Sequence, residues 1–149
     1  DFYTGLFATS LAADELLVEV ELPEREAGTG LGFEEFSRRR GDYGLAGVAA
    51  AVRLSPAGHV ASARAVLLGV GEGPVVAASV AVALEGERPD PERLAAAAAA
   101  AASDDVEPAG DIHATAAYRR HLVAVLTRRA LTAAVADAAA DLDRQGEAP

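Results

Sequence analysis

Two clusters of glycine invite a phosphate: Gly28-x-Gly30-x-Gly32 and Gly69-x-Gly71-x-Gly73-Pro74. Glycine lets backbone N–H groups close on a pyrophosphate. A dinucleotide fingerprint, however, needs G-x-G-x-x-G between a strand and a helix, with an acid about 20 residues later. Neither cluster has that spacing, and Pro74 removes a donor where a phosphate would want one, so both clusters are expected to be turns. The three histidines, His59, His113 and His121, are dispersed. His113 and His121 stand outside any H-E-x-x-H pattern, which sets the expectation of no metal site. No serine lies in a G-x-S-x-G elbow. Glu34 and Glu35 are adjacent on a predicted strand and would point to opposite faces, a poor geometry for shared acid–base work. No catalytic acid, base or nucleophile is expected.

The charges say more. There are 23 acids and 13 bases among 149 residues, a formal charge of −10, and every base is arginine. An acidic domain without a basic stripe argues against a nucleic-acid partner, because neutralising phosphates needs clustered positive charge. Yet Arg38-Arg39-Arg40 forms a basic knot just before Gly41-Asp42. The last predicted helix has Arg119, Arg120, Arg128 and Arg129 early and Asp137, Asp141 and Asp143 late. That order opposes the helix dipole, which prefers acids first and bases last. Arg119 and Arg120, adjacent on the helix, cannot both share its apolar stripe and are expected to project outward at its edge, on a plain solvated face or, in the sharper reading, towards an acidic partner surface. Their removal is expected to leave stability unchanged or slightly raised, since each opposes the dipole by up to about 1 kcal/mol.

The absence of Cys excludes disulfides, thiolate zinc sites and iron–sulfur ligation by this chain. No apolar run approaches the roughly 20 residues that span a bilayer, and no signal segment opens the sequence. Met is absent too, from which a fragment of a longer chain is expected.

The elements that must position these residues follow from periodicity. Leu16, Val18, Val20 and Leu22 alternate with Glu19 and Glu21, a strand that Pro23 stops; Leu17 places an apolar side chain on the polar side. Glu24 to Gly32 reads as a polar, Gly-rich connector and a seam between two units. Phe33–Arg39, Leu45–Leu54 and Val60–Val70 read as an antiparallel meander of three or four strands, with Leu45–Leu54 covered on both faces. Helices are predicted over Val80–Leu84, after the start signal Asp90-Pro91-Glu92 through eight alanines, and from about Thr115 towards Arg144. In the last helix, Tyr118, Leu122, Val125 and Leu126 form one apolar stripe, and Val135, Ala138 and Leu142 a second. Strands followed by helices indicate an α+β domain with helices on one face of an antiparallel sheet.

Four stretches in order resemble the flavoprotein subunit of molybdenum hydroxylases, the carbon monoxide dehydrogenase and xanthine dehydrogenase family. Phe2-Tyr3-Thr4-Gly5-Leu6-Phe7-Ala8-Thr9, followed by Asp14-Glu15-Leu16-Leu17, is similar to the closing strand of its FAD-binding domain. Phe33 to Tyr43 looks like the opening of the C-terminal domain. Gly69 to Pro74 and Asp111 to Leu122 match later stretches. The resemblance implies the end of an FAD-binding domain in 1–27 and the C-terminal domain in 28–149, with a ragged tail after about 144. That domain would be a small sheet of three to four strands against a three-helix bundle.

The resemblance further implies a cytoplasmic oxidoreductase subunit that relays electrons from iron–sulfur clusters to FAD. The FAD would be held mainly outside this chain. The 2Fe-2S clusters would lie in a small partner subunit and the molybdopterin in a large one, with a dimer of heterotrimers as one arrangement open to it. Two positions correspond to flavin contacts, Leu17 and Glu34; at Glu34 relatives have Lys, and a carboxylate cannot replace an ammonium there. Leu17 is thus expected to be more exposed than Leu16, Val18 and Val20. The competing class is a non-enzymatic interaction domain that uses the Arg-bearing last helix.

Overall fold

The structure, a computed structural model, describes residues 2–146. A small antiparallel hairpin comes first, β1 (Tyr3–Gly5) with β2 (Ala8–Thr9). Phe7 at its tip has φ +57 and a fully exposed ring. Residues 10–28 form no helix or strand. The strand expected over Leu16–Leu22 is not formed. Its alternation needs a neighbouring strand to bond its N–H and C=O groups, and none of the described residues supplies one.

The main sheet has four antiparallel strands in sequential order: β3 (Thr29–Ser37), β4 (Gly44–Leu54), β5 (Val60–Leu68) and β6 (Val75–Val76). Three helices follow, α1 (Ala78–Leu84), α2 (Pro91–Asp104) and α3 (Ala116–Gly146). The α+β architecture expected from the sequence is present. So is the helix start at Asp90, whose side chain accepts from Arg93 N at 2.8 Å. The first helix has no cap of its own; Asp105, just past α2, accepts from the Ser79 backbone and hydroxyl instead. Of the expected ragged tail, residues up to Gly146 continue α3, and 147–149 lie outside the described residues.

The helices lie on one side of the sheet: α1 and α3 pack against its strands, and α2 packs on those two helices. Val48, Val52, Val60 and Leu67 meet Val80, Leu84, Val123 and Leu131 there, each fully buried. The other face is open: Leu31, Phe33 and Ala49 are exposed on it. Leu45–Leu54 is therefore covered on both faces only near its start, at Leu45 and Gly47; at Ala49, Ala51 and Arg53 its outer face is exposed or half-buried. Its continuous run of apolar residues reflects small alanines on the open side, which periodicity cannot distinguish from burial.

Gly30 and Gly32, expected in a turn, lie instead within β3 on the helix side. A Cβ on Gly30 would stand 1.9 Å from the Ala134 carbonyl oxygen, and one on Gly32 2.1 Å from that of Ala130. Ala130, Ala134 and Ala138, at helical spacing, give α3 a flat ridge that lies directly on these glycines. The inner stripe of α3 is Arg119, Leu122, Val123, Leu126, Ala130, Leu131, Ala134 and Ala138. Tyr118, expected in that stripe, sits at its margin, 41 % exposed, edge-on to Phe36.

Candidate functional site: an arginine clamp and a carboxylate-plugged strand edge

The second glycine cluster, the Asp111 loop and the start of β4 meet at one side chain. Arg119 is only 8 % exposed. Its Nη1 donates to the carbonyls of Leu45 (2.6 Å) and Gly69 (3.0 Å), and its Nη2 donates to Asp111 Oδ2 (2.6 Å). The expectation that Arg119 projects outward is therefore overturned. The reason is its register: it stands on the inner stripe, three and four residues before Leu122 and Val123, where three acceptors converge. Arg120, one residue round the helix, is half-buried and makes no ion pair among the described residues.

The local sequence builds the clamp. Asp111 Oδ1 accepts from the backbone of His113 and Ala114, both at 2.8 Å, and Thr115 Oγ1 caps α3 by accepting from Tyr118 N at 3.2 Å. One motif thus folds its own turn, starts a helix and aims a guanidinium. The N–H groups of Ala114 and His113, with Arg119 beside them, hold the Asp111 carboxyl below the usual carboxylate range.

The late acids of α3 have an equally structural task. Strand β3 lies at the sheet edge, and Asp137 accepts from Leu31 N (3.0 Å) while pairing with Arg25 (2.8 Å). Asp141 accepts from Gly28 N (2.9 Å) and from Arg144 (3.1 Å). The Leu31 and Gly28 N–H groups, respectively, lower these two carboxyls, with Arg25 and Arg144 adding to the effect. The helix tolerates acids at its wrong end because they complete the strand.

A pH dependence follows with a defined sign. A carboxylate whose pKa is lower folded than unfolded stabilises the fold fully above the ordinary carboxylate pKa, about 3.9. That stabilisation is lost as pH falls through the lowered folded values. Urea midpoints should therefore hold steady from pH 7 to about 5 and drop steeply below about 4. The pair Asp137→Asn, Asp141→Asn should flatten that drop; an unchanged profile would remove these groups as its source.

The positions expected at a flavin are not brought together. Leu17 lies in the unpaired segment and Glu34 in β3 on the helix side, where it lines a shallow groove with Pro91, Arg128 and Arg129. Leu17 is 51 % exposed against 82 % for Leu16, 84 % for Val18 and 71 % for Val20, the reverse of the expected ranking. With its strand unpaired, the alternating apolar face is the more open one. The first glycine cluster cannot cradle a pyrophosphate, because the α3 backbone fills the space that the missing Cβ atoms leave. In the second, the Gly69 carbonyl is turned to Arg119. The described residues do not fit the phosphates of a dinucleotide.

The site is thus a four-stranded antiparallel sheet with helices on one side, braced by an arginine clamp, with no phosphate cradle among the described residues. The family model of the CO dehydrogenase flavoprotein C-terminal domain matches residues 32–134, and the chain belongs to that family. It is 42 % identical to the nicotine 6-hydroxylase medium subunit of Paenarthrobacter nicotinovorans, a match covering 90 % of this chain and 46 % of that protein. It is 32 % identical to the carbon monoxide dehydrogenase medium chain of Afipia carboxidovorans, over 93 % of this chain and 47 % of the relative.

Among solved structures, carbon monoxide dehydrogenase of Hydrogenophaga pseudoflava matches with a TM-score of 0.84 and 35 % identity, over 91 % of this chain and 47 % of the other. Quinoline 2-oxidoreductase of Pseudomonas putida 86 gives 0.84 and 34 %, over 93 % and 47 %. The chain spans about half the length of the relatives it matches.

Proposed function

We propose that this chain is the C-terminal portion of the FAD-binding subunit of a cytoplasmic, molybdopterin-dependent oxidoreductase. In this reading it buttresses the flavin site and docks the iron–sulfur and molybdopterin subunits, supporting electron transfer without performing a chemical step. Residues 1–27 are the end of the FAD-binding domain and 28–149 the C-terminal domain. The observation that supports this most is the unpaired Leu16–Leu22 segment. Four apolar side chains alternate on it, each more than two-thirds exposed, and its backbone has no sheet to join. Such a segment is half of a structure whose other half must bury it. No helix among the described residues is long and apolar enough to cross a membrane.

FAD, when bound, supplies the electron-accepting ring; this chain's part at that ring is the apolar contact of Leu17. Glu34 offers neither an ammonium nor a phosphate donor; it lines the groove with Arg128 and Arg129 without pairing with either. Of the partner-facing pair, Arg119 is committed to the clamp, which leaves Arg120. Replacing Leu17 by Ser in this chain alone should change its stability by less than about 0.5 kcal/mol, as at other exposed sites. In the complete subunit the same change should lower the FAD retained after gel filtration. Retention equal to the unsubstituted subunit would separate Leu17 from the flavin.

A further inference from the structure

The two edges of the main sheet are treated differently. At the β5 edge, Val60 exchanges hydrogen bonds with Glu87 and Gly86, Ala63 N donates to Glu85, Ala65 O accepts from Ala77 N, and β6 pairs beyond. At the β3 edge, Thr29 and Leu31 are plugged by Glu26, Arg25 and Asp137. The alternation that turns Thr29 and Leu31 outward also turns Phe33 and Glu35 outward, and their N–H and C=O groups meet nothing among the described residues. Native proteins protect their sheet edges, and an edge plugged at Thr29 and Leu31 but open at Phe33 and Glu35 marks a pairing site.

The surroundings specify what pairs there. Six of the 13 arginines sit in ion pairs, at positions 25, 38, 53, 93, 119 and 144. Arg39 and Arg40, in the turn after β3, and Arg128 and Arg129, exposed on α3 in the groove with Glu34, form no ion pair with a carboxylate among the described residues. In a chain of charge −10, free cations gathered beside an open strand edge ask for an anionic neighbour. An aromatic row, Phe36 against Tyr118 and Tyr118 against His121, each at 6.4 Å, runs along the same margin and supplies apolar anchorage.

We propose that the β3 edge at Phe33–Glu35 receives an extended acidic segment of another subunit of the assembly, which adds a strand to this sheet. Main-chain hydrogen bonds to the two outward residues hold it, and Arg128 and Arg129 select its charge. The proposal rests on the subunit reading above.

The test is amide hydrogen exchange on the complete flavoprotein subunit, purified alone and as the assembly co-expressed with its iron–sulfur and molybdopterin subunits. Phe33 and Glu35 should exchange freely in the subunit alone and at least tenfold more slowly in the assembly. The pair Arg128→Glu, Arg129→Glu, with unaltered melting, should weaken assembly at least tenfold, and the loss should shrink in high salt. An assembly that forms while both amides exchange at the free rate overturns the edge proposal and leaves the subunit reading intact. Protection that grows with the concentration of the subunit alone assigns the edge to a second copy and also overturns it. No assembly with either subunit brings down the subunit reading itself.

Discussion

Replacing Arg119 by Ala should cost the fold about 3 kcal/mol, with a fall in Tm of roughly 10 °C for a domain of this size. Three charge-assisted hydrogen bonds disappear at once. The carbonyls of Leu45 and Gly69 lose their donor in a partly buried place, and the Asp111 turn loses its tie to β4. Arg119→Lys should recover less than half, because a point ammonium cannot reach two carbonyls and a carboxylate as a planar fork does. Arg120→Ala is the internal control, expected within about 0.5 kcal/mol of the unsubstituted chain. Thermal melts of the three variants decide it. Equal, small losses for Arg119→Ala and Arg120→Ala would return both arginines to the surface.

The second large effect is at Gly30. Alanine there places a methyl carbon 1.9 Å from the Ala134 carbonyl oxygen and 2.3 Å from Ala138 N, both backbone atoms of α3 that no rotamer change can move. The helix must lift from the strand along its ridge of alanines, opening voids beneath Leu131 and its neighbours. Overpacking of this kind exceeds the usual 1–3 kcal/mol range, and about 4 kcal/mol or more is expected. Gly41→Ala isolates the alternative cause. Gly41 has φ +80 but nothing within 4 Å, so only backbone strain of about 1 kcal/mol should appear. Comparable losses at Gly30 and Gly41 in urea unfolding would place the cost in conformation rather than in close approach.

The meander, the Asp90 helix start and the long last helix were legible because each announces itself locally, through alternation, a cap or an apolar stripe. What was illegible depended on partners far along the chain. Gly30 and Gly32 read as connector residues because nothing near them reveals that α3, 100 residues later, lies on them. The i, i+4, i+8 spacing of Ala130, Ala134 and Ala138 was the available signal, and it makes sense only when set against alternating glycines. Arg119 read as a surface charge because the carbonyls it binds belong to residues 45 and 69. The late aspartates opposed the helix dipole, and that conflict was itself the clue: a locally unfavourable charge is kept where a tertiary contact uses it. The Leu16–Leu22 strand failed for the opposite reason, a correct local pattern with no sheet to enter.

In the proposed function this chain buttresses a flavin site without holding the flavin. Titration of the purified chain with FAD, followed by flavin fluorescence, tests it most directly. No saturable change is expected, since a single apolar contact contributes only about 1–2 kcal/mol. Saturable binding with a Kd of about 1 μM or tighter, some 8 kcal/mol, would contradict it and place a complete flavin site within these residues.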